Sequence, residues 1–267
     1  MTSAAANPSI AFDKAGHGEP ALLMLPGWCG PRTMFDGLRA RTARHRTTLA
    51  IDWRGHGETP SGAGDFGTAE LVADAVDVIE RAGITRVVPL AAAHAGWVAI
   101  ELRRRLGPER VPAIVLLDWM VLGTPPGFGD ALAGLRDPDR WQQVRDSLVA
   151  LWTEGVDNPD VLGYVDVMAG YDAAMWARAG REIAAEFAAH HTPLAALEPL
   201  GCPTLHLYAQ PADEDFLAAQ RDYAVTHPWF RVQRLRARSH FPSLEAPDAV
   251  AAAIDAFLRE VDGSGSR

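Results

Sequence analysis

The segment Arg86-Val-Val-Pro-Leu-Ala-Ala-Ala-His-Ala-Gly-Trp97 runs from an apolar strand through a tight turn into a helix. Within Ala91-Ala92-Ala93-His94-Ala95-Gly96 the apex of the turn falls on Ala93. A strand–turn–helix of this kind lifts one side chain clear of the carboxyl end of a parallel sheet, where it can meet a ligand. Here that side chain is a methyl group. No serine, cysteine or aspartate stands at the apex, so a covalent acyl intermediate has no atom on which to form.

Apolar strand-like runs lie on both sides of this turn. Ala21-Leu-Leu-Met-Leu25 leads into Pro26-Gly27-Trp28-Cys29-Gly30, and Thr47-Thr-Leu-Ala-Ile51 precedes Asp52-Trp-Arg-Gly-His-Gly57. Ala113-Ile-Val-Leu-Leu117 ends at Asp118, followed later by Pro203-Thr-Leu-His-Leu-Tyr208 and Phe230-Arg-Val-Gln-Arg-Leu235. Between them, Ala69 to Arg81 carries apolar residues at helical spacing, and Gly83 ends that helix. The alternation predicts an α/β protein, a mostly parallel sheet with right-handed crossovers and flanking helices. The order of the signals is that of the α/β-hydrolase fold. Ala93 takes the nucleophile position, the 26–30 loop the place of an oxyanion-hole donor, and His240 the place of the histidine after the last strand.

From about Gly123 to Pro193 the alternation stops. This stretch holds the helix-like run Asp137 to Trp152 and two more around Tyr164 and Trp176, without a convincing strand. It predicts a helical cap inserted at 123–193 in a single α/β-hydrolase domain spanning 1–267, roofing the carboxyl edge of the sheet where ligands bind.

With 267 residues and 48% hydrophobic content, the chain can bury a large core. A net charge of −9 and the lack of a basic cluster argue against nucleic-acid binding, and Arg103-Arg104-Arg105 reads as a solvated helix end. No apolar run is long enough to cross a bilayer, and the first residues show no basic and apolar signal-peptide regions, so a cytoplasmic protein is expected. Cys29 and Cys202 offer neither a disulfide framework nor metal-ligand spacing, and Cys29 reads as a small buried filler. No metal-ligand cluster or dinucleotide glycine fingerprint is visible, so no metal or organic cofactor is expected. The tail Asp262-Gly-Ser-Gly-Ser-Arg267 is expected to be disordered.

Chemistry without the nucleophile is still available. His240 can act as a general base, a carboxylate can orient it, and N–H groups of the elbow and the 26–30 loop can stabilise an oxyanion. The carboxylate has two candidates. Asp118 ends a wholly apolar strand, where a charge needs a partner to offset desolvation, whereas Asp213 lies in the acidic loop Gln210 to Asp215 where ordinary α/β-hydrolases place the acid. The setting favours Asp118.

Beyond these roles, the residues resemble the cofactor-independent 3-hydroxy-4-oxoquinoline 2,4-dioxygenases. The matching segments include Leu25-Pro-Gly-Trp-Cys29, Asp52-Trp-Arg-Gly-His-Gly57, Asp65-Phe-Gly67, His94 with Gly96-Trp97, and Asp118-Trp119. They continue with Asp137-Pro-Asp-Arg-Trp141, Leu151-Trp152, Tyr171-Asp172, Gln210-Pro211, His227-Pro-Trp-Phe230 and Ser239-His-Phe-Pro242, covering nearly the whole chain.

The resemblance implies that His240 removes the 3-hydroxyl proton of a small aromatic heterocycle, with Asp118 as its partner. It also implies an oxyanion hole from the backbone N–H groups of Trp28 and His94, and aromatic walls from Trp28 and Trp152. The bound anion would then react with O2 without any cofactor. Core packing is expected for Trp53, Trp97 and Trp141, while Trp119 and Trp176 are left unassigned. Two departures from the family pattern concern the pocket: Ala93 replaces a frequent serine, and Gly30 replaces a histidine. The loss at Gly30 is expected to remove a polar contact and open space, favouring a longer 2-alkyl substituent. A serine hydrolase with its nucleophile replaced by Ala93 and a non-catalytic ligand-binding protein are the competing readings.

Overall fold

The computed structural model describes residues 8–264. Among these, seven strands form one sheet: β1 (Phe12–Ala15), β2 (Ala21–Leu25), β3 (Thr48–Ile51), β4 (Val87–Ala92), β5 (Ile114–Leu117), β6 (Thr204–Tyr208) and β7 (Phe230–Arg234). Their spatial order is β1-β3-β2-β4-β5-β6-β7. Only β1 is antiparallel to its neighbour. The residues of β2, β4, β5 and β6 are all buried. That is the signature of parallel strands covered on both faces, and it explains the apolar runs of β2, β4 and β5, whereas β6 sets Leu205 and Leu207 among buried Thr204, His206 and Tyr208.

Register then places the reactive loops side by side. Leu25 pairs with Ala91 across β2 and β4, and Ala92 pairs with Leu117 across β4 and β5. The carboxyl ends of these three strands are therefore nearly level, and Trp28, Ala93 and Asp118 emerge at one edge.

Helices α1 (Asp36–Thr42), α2 (Thr68–Arg81) and α3 (Gly96–Arg110) connect the first strands, and the positive φ of Gly107 interrupts α3 just beyond the arginine run. Between β5 and β6 come α4 (Phe128–Leu135), α5 (Trp141–Trp152), α6 (Pro159–Ala169), α7 (Ala173–His190) and α8 (Pro193–Leu197). Several of them begin on side chains that accept otherwise orphaned N–H groups: Asn158 from Asp160 and Val161, Asp172 from Met175, and Thr192 from Ala195. Helices α9 (Glu214–Thr226), α10 (Pro242–Glu245) and α11 (Pro247–Ser264) complete the chain. No helix among the described residues is long and apolar enough to cross a membrane.

Two features depart from the sequence reading. Strand β1 has no counterpart there, because Phe12-Asp13-Lys14-Ala15 lies at a sheet edge and has no apolar run to announce it. The tail expected to be disordered from Asp262 is helical through Ser264, as the apolar face of α11 carries it onward. Residues 265–267 lie outside the described residues, as does the signal-peptide reading of residues 1–7.

Candidate active site

Three residues at the sheet edge hold backbone conformations that side chains disfavour. Cys29, Ala93 and Asp118 have φ of 58°, 46° and 47°, and they follow β2, β4 and β5 respectively. Each left-handed non-glycine residue costs about 1–2 kcal/mol, and such strain clusters where a sharp turn must aim a group. Ala93 thus keeps the sharp elbow turn without carrying a hydroxyl. The elbow also needs Gly96, since a Cβ there would stand 2.1 Å from the Trp119 ring.

The structure brings His240 and Asp118 together. Their Nδ1 and Oδ1 atoms are 3.0 Å apart, and Asp118 is buried. The other carboxylate oxygen, Oδ2, accepts from the backbone N–H groups of Ala209 at 2.7 Å and Gln210 at 3.2 Å. Every Asp118 oxygen therefore has a partner, which offsets the desolvation of the charge. With Nδ1 donating to the carboxylate, Nε2 of His240 holds the free lone pair. Asp213 serves elsewhere, since its carboxylate accepts from Asp215 N–H at 2.8 Å and caps α9.

Helix α5 supports the histidine directly. Trp152 stacks on His240 with ring centroids 5.3 Å apart and an interplanar angle of 21°, and its carbonyl accepts the His240 backbone N–H at 3.0 Å. Gln210 ties the same region together. Its carboxamide donates to the carbonyl of Arg238 at 2.7 Å and lies 3.3 Å from that of Trp152.

A cavity of about 160 Å³ lies between the strand ends and helices α4 to α7, lined mainly by apolar atoms. Trp28, Ala93, His94, Asp118, Trp152 and His240 all border it, as do Trp119 and Trp176, to which the sequence assigns no role. Trp53 and Trp97 are buried in the core, and Trp141 lies half-buried with the Arg145 guanidinium 5.1 Å from its ring centroid. The Trp28 wall is braced from behind by Phe66, stacked at 5.9 Å, and Arg178 of α7 lies 4.1 Å from the Phe66 ring centroid. Asp65-Phe66-Gly67 thereby anchors the wall to α7, because Asp65 also pairs with Arg178 and Arg181.

Gly30 does not behave as expected. It is buried, does not line the cavity, and leaves no open space: the Tyr164 hydroxyl fills the position a Cβ would take. Tyr164 borders the cavity instead. The sequence announces α6 but not this contact, since the two residues are separated by more than 130 positions. Phe241 is likewise visible in the sequence only as part of a motif, yet it lines the cavity beside His240.

Three further histidines are held neutral. Buried His56 accepts Cys29 N–H on Nε2 at 3.0 Å and donates from Nδ1 to Arg54 O at 3.0 Å. Buried His206 accepts Trp119 N–H on Nε2 at 3.2 Å and bonds Gln220 Oε1 through Nδ1 at 2.6 Å. Each pins the backbone at a left-handed turn, one at Cys29 itself and one just after Asp118. Burial pushes both imidazoles down to about 4. His94 faces the cavity, and its Nδ1 accepts from Trp119 Nε1–H at 3.1 Å, which leaves the proton on Nε2. Desolvation lowers it to about 3, with the nearby His240 adding to the effect.

These shifts set an acid limit on stability. The unfolded chain takes up protons at His56 and His206 near pH 6.5, whereas the native protein resists until about pH 4. Stability therefore rises with pH across that window, by about 1.4 kcal/mol per pH unit for each histidine at most. Urea denaturation of parent and His206→Gln proteins between pH 7 and 4.5 checks this, and the variant is expected to show the shallower slope. Equal slopes would remove His206 from the account.

Among the described residues, no group of three or more His, Cys, Asp or Glu side chains could hold a metal ion. A wider depression of about 460 Å³ lies near the amino ends of β4, β5 and β6, between Arg86, Arg103 and Pro203, and includes none of the site residues.

Residues 22–253 match the model of the alpha/beta hydrolase family. The chain is 39% identical over 251 residues to the 2-heptyl-3-hydroxy-4(1H)-quinolone dioxygenase of Mycobacteroides abscessus, covering 92% of this chain and 93% of that protein. It is 36% identical over 243 residues to the 1H-3-hydroxy-4-oxoquinoline 2,4-dioxygenase of Pseudomonas putida, covering 90% and 92%. Among solved structures, an AqdC variant in complex with its substrate, described for recognition and ring cleavage of the Pseudomonas quinolone signal, superposes with a TM-score of 0.91. The identity there is 36%, over 97% of this chain and 99% of that one.

Proposed function

This chain belongs to the alpha/beta hydrolase family and, within it, to the 3-hydroxy-4-quinolone dioxygenases, and from that membership we propose that it cleaves a 2-alkyl-3-hydroxy-4(1H)-quinolone with dioxygen. One observation carries the reading: a complete His240–Asp118 pair faces an apolar cavity whose elbow residue is Ala93. A base is present and a nucleophile is not. That combination suits deprotonation of a bound hydroxyl rather than acyl transfer.

Nε2 of His240 takes the 3-hydroxyl proton, and Asp118 stabilises the resulting imidazolium. Backbone N–H groups of Trp28 and His94 supply the oxyanion hole, while Trp28 and Trp152 flank the ring. The electron-rich anion reduces O2, and a peroxide forms at carbon 2. Its terminal oxygen attacks the carbonyl at carbon 4, and the ring collapses with loss of carbon monoxide. Both oxygens of O2 end in the N-acylanthranilate, so atoms balance without an external reductant. Helices within 123–193 act as the cap that keeps water from the anion. The substrate is a small heterocycle rather than a nucleic acid or a membrane component, and we place the reaction in the cytoplasm. Incubation with 2-methyl and 2-heptyl 3-hydroxy-4(1H)-quinolones is expected to consume O2 and release an equal amount of carbon monoxide. An inert protein would sink the reading.

We assign the reaction no cofactor, because a deprotonated 3-hydroxy-4-quinolone is electron-rich enough to reduce O2 by itself. Chelator-treated protein without flavin absorbance is expected to keep its full rate of oxygen uptake, and activity restored only by added iron would contradict this. Ala93→Ser is expected to keep ring cleavage within about tenfold of the parent, as one added hydrogen bond shifts a barrier by about 1 kcal/mol. A serine variant that gained esterase activity and an acyl adduct, from a parent inert to every quinolone, would mark a disabled hydrolase instead.

A further inference from the structure

Tyr164 reaches from α6 into a notch that exists because residue 30 is glycine. A Cβ on Gly30 would stand 1.9 Å from the Tyr164 hydroxyl oxygen and 2.9 Å from Cζ, far inside contact distance. The hydroxyl donates to Pro31 O at 3.3 Å and lies 3.5 Å from Met34 Sδ. On its other side the Tyr164 ring packs edge-on against Phe241, with centroids 5.3 Å apart. The tyrosine is thus held between the loop that carries Trp28 and the residue that follows His240, and it lines the cavity there.

We propose that Tyr164, docked in the Gly30 notch, is a specificity-determining residue that sets the size of the cavity between the Trp28 loop and Phe241. The proposal rests on the quinolone reading of the cavity. The ring supplies a fixed flat wall, and the partnered hydroxyl adds no unsatisfied polar atom to an apolar surface. Burial keeps the phenol neutral by raising it well above its usual range. Any side chain at position 30 competes for the same volume. The Pro31 loop and Phe241 flank the ring and leave the cavity as its open side, so a Cβ at residue 30 moves α6 or drives the ring into the substrate volume.

A double-mutant cycle on the full chain tests this, using Gly30→Ala, Tyr164→Leu and the double variant. The readouts are kcat and KM for the 2-methyl and 2-heptyl substrates, together with the substrate-free Tm. Gly30→Ala alone is expected to lower kcat/KM by about tenfold or more, chiefly through KM, and to lower Tm by about 3 °C or more. In the Tyr164→Leu background the same substitution should change kcat/KM by less than about threefold and barely move Tm. Tyr164→Leu itself should change the kcat/KM ratio between the two substrates by about fivefold or more, as expected from altered pocket volume. If Gly30→Ala fails to fold and Tyr164→Leu restores folding, the docking stands. Equal Tm losses in both backgrounds overturn the docking, and an unchanged substrate ratio overturns the specificity role. A parent protein inert to both quinolones overturns the functional reading instead, while the Tm cycle still decides the docking.

Discussion

His240→Ala is expected to lower kcat by about 10³-fold while leaving KM within about threefold of the parent. The imidazole contributes its lone pair to the reaction but little to the walls, which Trp28, Trp152, Trp119 and Tyr164 supply. Trp152 loses its stacking partner, so a modest rise in KM is consistent with the geometry. Steady-state oxygen uptake across pH gives the decisive comparison. If proton removal is what was lost, raising the pH to ionise the substrate in solution should recover part of the variant's rate and none of the parent's. A variant whose loss lay entirely in KM would show that His240 binds rather than deprotonates.

Asp118 separates into two effects that run in opposite directions. Asp118→Ala removes the acceptor for Ala209 N–H and Gln210 N–H, and leaving these buried donors unpaired costs about 2–4 kcal/mol of stability. Its kcat is expected to fall by about tenfold, since the imidazole keeps its base nitrogen but loses its orienting charge. Asp118→Asn should be the more stable protein and the poorer enzyme. An amide N–H facing Nδ1 favours the tautomer with its proton on Nε2, the nitrogen that must accept, so kcat should fall by about 10²-fold. Asp213→Ala, by contrast, loses a helix cap worth about 1 kcal/mol and leaves turnover within about twofold. A nearly silent Asp118→Ala beside a damaging Asp213→Ala would reverse the assignment.

The strands that build this site are legible because they are buried on both faces, which makes β2, β4 and β5 apolar throughout, while β6 sets Leu205 and Leu207 among buried Thr204, His206 and Tyr208. β1 is hidden by its place at the edge. His240, Asp118 and Ala93 can be located in the sequence because each sits at a strand end or just beyond the last strand, where chain order largely dictates position. Contacts made by α6 and α7 carry no such signal. Tyr164 and Trp176 look in the sequence like ordinary aromatic residues of amphipathic helices, and only packing places them at the cavity. Gly30 misleads for the same reason. A missing side chain suggests a gap when the neighbour that fills it is out of sight.

The junction at Gln210 bears on any effort to retool the protein. Its carboxamide and backbone N–H touch Asp118 at the end of β5, the segment leading to His240 and the last turn of α5. Variation at this position will disturb all three at once, so a library that includes it will mostly return dead clones. Leu132, Leu135 and Met168 also face the cavity but have no such connections. Diversity placed at these three can reshape what the protein accepts while the His240–Asp118 pair stays as it was inherited.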